Sequence, residues 1–153
     1  MAEVRRATTD DIPELVRLRE VMMQSVVGEA GTGWQEVCAE LLATALTDGS
    51  MVAAVVDKPA GDGLAACGVG MLAQRLPGPH CLDGRYGYIQ SMVTDDDHRR
   101  EGLARLVFEA LMAWFAELGV TRVDLHASAM GEPLYRQLGF TENREPELRW
   151  RAG

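Results

Sequence analysis

Two arginines and a glycine, Arg99, Arg100 and Gly102, stand where an apolar strand pattern gives way to a helical one. Tyr86 to Val93 reads as a strand. From Gly102 onward, Leu103, Val107, Ala110, Leu111, Trp114 and Leu118 recur at helical spacing until Gly119. The start of a helix exposes amide N–H groups with no helical acceptor and the positive end of the helix dipole, so it suits an anion such as phosphate. The spacing therefore predicts an anion site on the loop between strand and helix, with the arginines adding positive charge.

Other chemistry is sparse. The three cysteines, Cys38, Cys67 and Cys81, form no C-x-x-C pair, and the three histidines, His80, His98 and His126, are scattered. No metal site is expected, and reduced thiols in a cytoplasm are the simplest reading. A net charge of −8 argues against a nucleic-acid binder, which would carry a basic face. No apolar run approaches the roughly 18 residues that span a bilayer. The first residues, Met1-Ala-Glu-Val-Arg-Arg, place charges where a signal peptide would be apolar. A cytoplasmic protein with no membrane partner is expected.

The elements that must position the loop follow from periodicity and breakers. Val4–Ala7 reads as a short strand, Thr8 to Asp11 supplies N-cap residues, and a helix runs to about Ser25 with Pro13 in its first turn. A glycine-rich loop, Gly28 to Gly33, precedes a second helix from Trp34 to Leu46. Met51–Val56 and Leu64–Ala73 are apolar runs around a turn cluster, hence a hairpin. After the long helix come a strand over Arg122–Ala127, a short helix over Glu132–Leu138, and a closing hairpin of Phe140–Glu142 with Glu147–Arg151. The order is a mixed α/β sheet with helices on both sides, one domain over 1–153.

Arg99-Arg100-Glu101-Gly102-Leu103-Ala104 resembles the (Gln/Arg)-x-x-Gly-x-(Gly/Ala) motif of the GCN5-related N-acetyltransferase (GNAT) family. Leu134-Tyr-Arg-Gln-Leu-Gly-Phe140 is similar to that family's tyrosine-bearing short helix with its Gly-Phe stop, and the element order fits from Val4 to Trp150. The resemblance implies a single mixed, mostly antiparallel twisted sheet flanked by helices, and acetyl-CoA as co-substrate with no metal. It implies that backbone groups of Met92, Val93 and Thr94 bind the pantetheine arm like an added strand. Amides of Arg99, Arg100, Glu101, Gly102, Leu103, Ala104 and Arg105 would wrap the pyrophosphate, Gly102 and Ala104 being small enough for close approach. Asp95-Asp96-Asp97 would have to face outward or cap the turn.

The resemblance makes Tyr135 the general acid that protonates the departing thiolate. It places Ser128 where the family often has an asparagine on the cofactor, and Gly131 where alanine is usual. Val123 stands where the branch acting on protein N-termini often has glutamate. The expected reaction is direct transfer of acetyl to a primary amine, on a small molecule or a peptide, in a ternary complex. Transfer of another acyl group and a non-catalytic acyl-CoA sensor are the alternatives. For the acceptor side, Glu29 and Trp34 in and beside the glycine-rich loop, Gln90 and Ser91 on the strand, and His126 are the residues to weigh against solvated or core roles. The resemblance is compatible with a homodimer.

Overall fold

A computed structural model describes residues 2–153. Five strands form one sheet in the order β1 (Val4–Arg6), β2 (Met51–Asp57), β3 (Leu64–Gln74), β4 (Arg85–Thr94) and β5 (Val123–Leu125). The pairings from β1 to β4 are antiparallel, whereas β4 and β5 are parallel. A parallel pair needs a crossover, and α3 (Leu103–Glu117) supplies it. The helices α1 (Ile12–Val27) and α2 (Gln35–Asp48) cover the opposite face, and α4 (Glu132–Gln137) follows β5. No helix among the described residues is long and apolar enough to cross a membrane. The single mixed, mostly antiparallel sheet with helices on both sides is the fold expected.

Because both faces are covered, β2 and β3 are nearly continuous apolar runs instead of alternating ones. Val52, Ala54 and Val56 meet α3, while Ala53 and Val55 meet α1 and α2. Burial of Leu103, Val107, Phe108, Leu111, Trp114 and Phe115 gives α3 a broad apolar stripe against the sheet. Gly87 lets Phe115 lie against β4, since a Cβ there would come within 2.5 Å of its ring.

The feature that shapes the site is a β-bulge in β4. Cys67 pairs with Val93 but Val69 pairs with Gln90, so Ser91 and Met92 together face Gly68. Ser91 takes φ 60°. A Cβ at Gly68 would sit 2.4 Å from Met92 Sδ and 2.7 Å from Val107, so the glycine makes room for the Met92 side chain beside α3.

One expectation fails. Residues 140–153 form no strand, and β5 is confined to Val123–Leu125. The alternation in Glu147–Arg151 suits a strand, but its apolar side has nothing to cover it: Leu148 is 88% and Trp150 85% exposed. Side-chain contacts hold the segment instead, with Glu147 on His126 and Glu142 on Arg136.

Candidate functional site: a backbone trough beside an apolar cavity

The parallel pairing of β4 with β5 covers only Gly87–Ile89 against Val123–Leu125. Beyond Ile89 the strands part, and β4 continues through Thr94 paired to β3 alone. The far edge of Met92, Val93 and Thr94 is thus an open strand edge inside the molecule. Such an edge accepts an extended chain by main-chain hydrogen bonds.

The trough runs into the predicted anion loop. After a single turn of 3-10 helix, Asp96–His98, Arg100 has φ 66° and Gly102 φ 77°, and α3 begins at Leu103. The first helical backbone bond runs from Leu106 N–H to the Gly102 carbonyl, at 3.4 Å. Among the described residues, the amide N–H groups of Arg99 to Arg105 have no protein acceptor. Alternating left-handed residues at a helix start turn successive N–H groups into a concave nest for an anion. A Cβ on Gly102 would meet no atom of the described residues within 4 Å, so they leave the space over it open. Arg99 is paired with Asp96 at 2.9 Å and Glu101 with His98 at 3.1 Å. Arg100 has no ion-pair partner among the described residues.

The acidic run before the loop is arranged as required. Asp95 Oδ1 accepts from the Asp96 N–H at 3.0 Å and so caps the turn, while Asp96 and Asp97 are exposed. Asp95 Oδ2 meets Arg17 at 3.0 Å and Lys58 at 3.1 Å. Arg17 also grips Glu14 at 2.6 Å, and Glu14 accepts the Leu64 amide at 2.8 Å. This network ties the loop to α1 and to the β2–β3 hairpin, and sequence reading missed it because its members lie far apart in the chain. Burial opposes the charge on Asp95, but hydrogen bonds from Arg17 and Lys58 outweigh it and hold the carboxyl below its usual range. The Arg17 hydrogen bond does the same for Glu14.

A depressed native pKa stabilises the fold above the unfolded carboxylate values, about 3.9 to 4.3, and that contribution disappears as pH falls through them toward the native values. Asp95→Asn should therefore lower stability at pH 7 by about 1–2 kcal/mol, Arg17 being partly screened by solvent. It should lose less than the wild type between pH 5 and 3. Urea unfolding at both pH values checks this, and equal acid sensitivity would remove Asp95 from the account.

Tyr135, on α4, is buried at 8% exposure, its ring forming a three-ring cluster with Phe108 and Phe140 at centroid distances of 5.8 and 6.2 Å. Its hydroxyl has no partner among the described residues, yet no buried polar side-chain atom is left unsatisfied, so the hydroxyl reaches an open surface. Burial pushes its pKa up and keeps it protonated. Arg105 Nη2 donates to Gln137 Oε1 at 3.4 Å, and Phe108 touches the tyrosine ring, so the start of α3 holds both the nest and Tyr135. Gly131 leaves room for the ring, its Cβ position lying 3.0 Å from Tyr135 Cε2. Ser128 opens α4: its hydroxyl accepts from the Gly131 N–H at 3.2 Å and its carbonyl from Glu132 at 2.9 Å.

On the other face of the sheet lies a cavity of about 550 Å³ between α1, α2 and strands β2 to β4. Glu29, Trp34, Gln90 and Ser91, all named from sequence, line it together. Trp34 is fixed there by its Nε1–H, which donates to the Ala30 carbonyl at 2.6 Å, and it packs on α2 as well. The bulge residue Ser91 thus lies between trough and cavity. His126 does not line the cavity. It follows β5 and is hydrogen-bonded through Nδ1 to the Tyr88 hydroxyl and through Nε2 to Glu147. Tyr88 shares the cavity face of β4 with Gln90 by strand alternation. That alternation could have flagged Tyr88; nothing in the sequence singled out Glu147.

A family model for the acetyltransferase (GNAT) family matches residues 20–140. The chain belongs to the GNAT acetyltransferase family. Solved structures give the same architecture. A GCN5-related N-acetyltransferase from Ralstonia eutropha JMP134 is 29% identical with a TM-score of 0.83, over 98% of this chain and 99% of that one. A predicted acetyltransferase from Clostridium acetobutylicum, solved with acetyl-CoA, is 24% identical with a TM-score of 0.88, over 97% and 96%. Glucosamine-6-phosphate N-acetyltransferase from Arabidopsis thaliana is 20% identical with a TM-score of 0.74, over 98% of each chain. No curated protein shows a significant sequence match.

The Clostridium neighbour was solved with acetyl-CoA. In this chain an open strand edge at Met92–Thr94 leads into bare amides over Arg99–Arg105. Ser128 accepts the Gly131 N–H at the start of α4, and its own O–H has no acceptor among the described residues.

Proposed function

We propose that the chain transfers the acetyl group of acetyl-CoA to a primary amine by direct attack in a ternary complex. The observation that carries this reading is the open edge of β4 leading straight into the uncapped amides before α3. When bound, acetyl-CoA supplies an acyl thioester, and the residues do the rest. Met92 to Thr94 align the arm, and the amides of Arg99 to Arg105 hold the pyrophosphate, with Arg100 adding charge. Tyr135, protonated and with its hydroxyl free, gives its proton to the leaving sulfur. Catalysis on this scheme is mainly positioning and fixed dipoles.

The acceptor enters from the cavity side, where Gln90 turns its amide nitrogen to Met71 Sδ and leaves its carbonyl oxygen without a partner among the described residues. That oxygen can orient an ammonium. For the proton that the ammonium loses we assign a relay through Tyr88, which shares a sheet face with Gln90, and then His126 and Glu147, to which it is joined by hydrogen bonds. Three free thiols at Cys38, Cys67 and Cys81 suit a reducing compartment, so we assign the reaction to the cytoplasm.

Acetyl-CoA should raise the melting temperature, and thiol release should follow addition of a suitable amine. His126→Ala should then lower kcat and alter its pH profile. Stabilisation by acetyl-CoA without turnover on any amine would instead favour an acyl-CoA sensor, and no stabilisation would sink the donor assignment. A wild-type pH profile in the His126 variant would take the relay out of the mechanism.

A further inference from the structure

The cavity beside the bulge differs from the rest of the surface in what it leaves uncovered. Val27 is 65%, Val37 64% and Leu41 56% exposed, and all three line this cavity. They come from the end of α1 and successive turns of α2, so the apolar rim belongs to two elements. Its other walls are largely apolar as well, including Met23, Trp34 and Met51. Its charged lining among the described residues is one cation, Arg19, and one carboxylate, Glu29. The polar group at the chemical end is Gln90, beside Ser91.

From this lining we infer that the acceptor is a primary monoamine carrying an aromatic or alkyl body, seated in the cavity with its nitrogen toward Gln90. This deepens the acetyltransferase reading and rests on it. A polyamine or an aminoglycoside would bring several ammonium groups into a space with a single carboxylate, and each unpaired charge would lose hydration without a counterion. An apolar body, in contrast, covers side chains now left in water and gives up little hydration itself. The volume of about 550 Å³ lies in the range of small-molecule sites. A site open on one side to the bulge and walled by apolar side chains elsewhere fixes which end of such a molecule is presented to the donor.

Initial rates with acetyl-CoA and 2-phenylethylamine, hexylamine, spermidine and kanamycin test the inference. The KM for 2-phenylethylamine should be at least tenfold below that for spermidine or kanamycin. Val37→Asp, at an exposed position, should raise it tenfold or more while acetyl-CoA dissociation stays at the wild-type value. Leu41→Ala should act in the same direction. Equal or lower KM values for the polycations would overturn the inference. So would a Val37→Asp protein with unaltered KM and a smaller sedimenting mass, which would mean that a second copy covers this face. Calorimetric titration with 2-phenylethylamine and spermidine separates this from the parent reading. Binding of the former alone, without turnover, would uphold the cavity and sink the transferase; absence of 2-phenylethylamine binding would sink the cavity assignment.

Discussion

Gly102→Val is expected to remove measurable acetyl-CoA binding while leaving a folded protein. At φ 77° a valine is strained, at about 1–3 kcal/mol, but its Cβ meets no atom of the described residues. The collision falls on whatever lies over the nest. Losing two charge-assisted hydrogen bonds from displaced amides costs about 3 kcal/mol or more, roughly a hundredfold or greater in Kd. Gly102→Asn separates strain from obstruction, because asparagine tolerates the left-handed region. It should keep near-native stability and still weaken binding, through its added side chain. Calorimetry with acetyl-CoA and urea unfolding of both variants make the comparison. Wild-type affinity in the valine variant would dismiss the pyrophosphate loop.

Tyr135→Phe should reduce kcat by about 10²- to 10⁴-fold, the usual range for a lost general acid, with acetyl-CoA affinity unchanged. Stability should move little, since the ring packed on Phe108 and Phe140 is retained and the deleted hydroxyl bonds no described residue. The comparison of kcat with Kd decides the role. A purely packing tyrosine predicts unaltered turnover, and a loss confined to affinity would make Tyr135 part of the donor seat instead.

The strand, loop and helix proposed to hold the donor were legible in the sequence because they are local. Strand, loop and helix between Tyr86 and Glu117 are contiguous, and Gly102 stands at the motif's glycine in the left-handed region, whereas the left-handed Arg100 falls on a position that the motif leaves open. Tyr135 lies farther along the chain but sits on a helix with a clear glycine stop. The bulge was not legible: Ser91 is left-handed because of the pairing between Cys67–Val69 and Gln90–Val93, and nothing in its neighbours signals that. The Asp95 network depends on Arg17 and Lys58, brought from two other elements. The closing hairpin failed for the converse reason. A strand pattern in Glu147–Arg151 is a local fact, but a strand also needs a partner edge and a covered face, and Leu148 and Trp150 lack the latter.

The parting of β4 and β5 has a consequence for how this molecule can be changed. On the proposed function the donor trough is main chain, whose hydrogen-bonding groups are the same whichever side chains accompany them. The cavity proposed for the acceptor is lined instead by side chains, most of them from α1, α2 and the loop between them, with Met51, Val69, Gln90 and Ser91 from the sheet. The two recognitions are therefore written in separate alphabets, and Ser91 stands at the one place where they meet. On that assignment, a library randomised at Val27, Val37 and Leu41 should explore new acceptors and leave the main-chain seat of the donor unaltered.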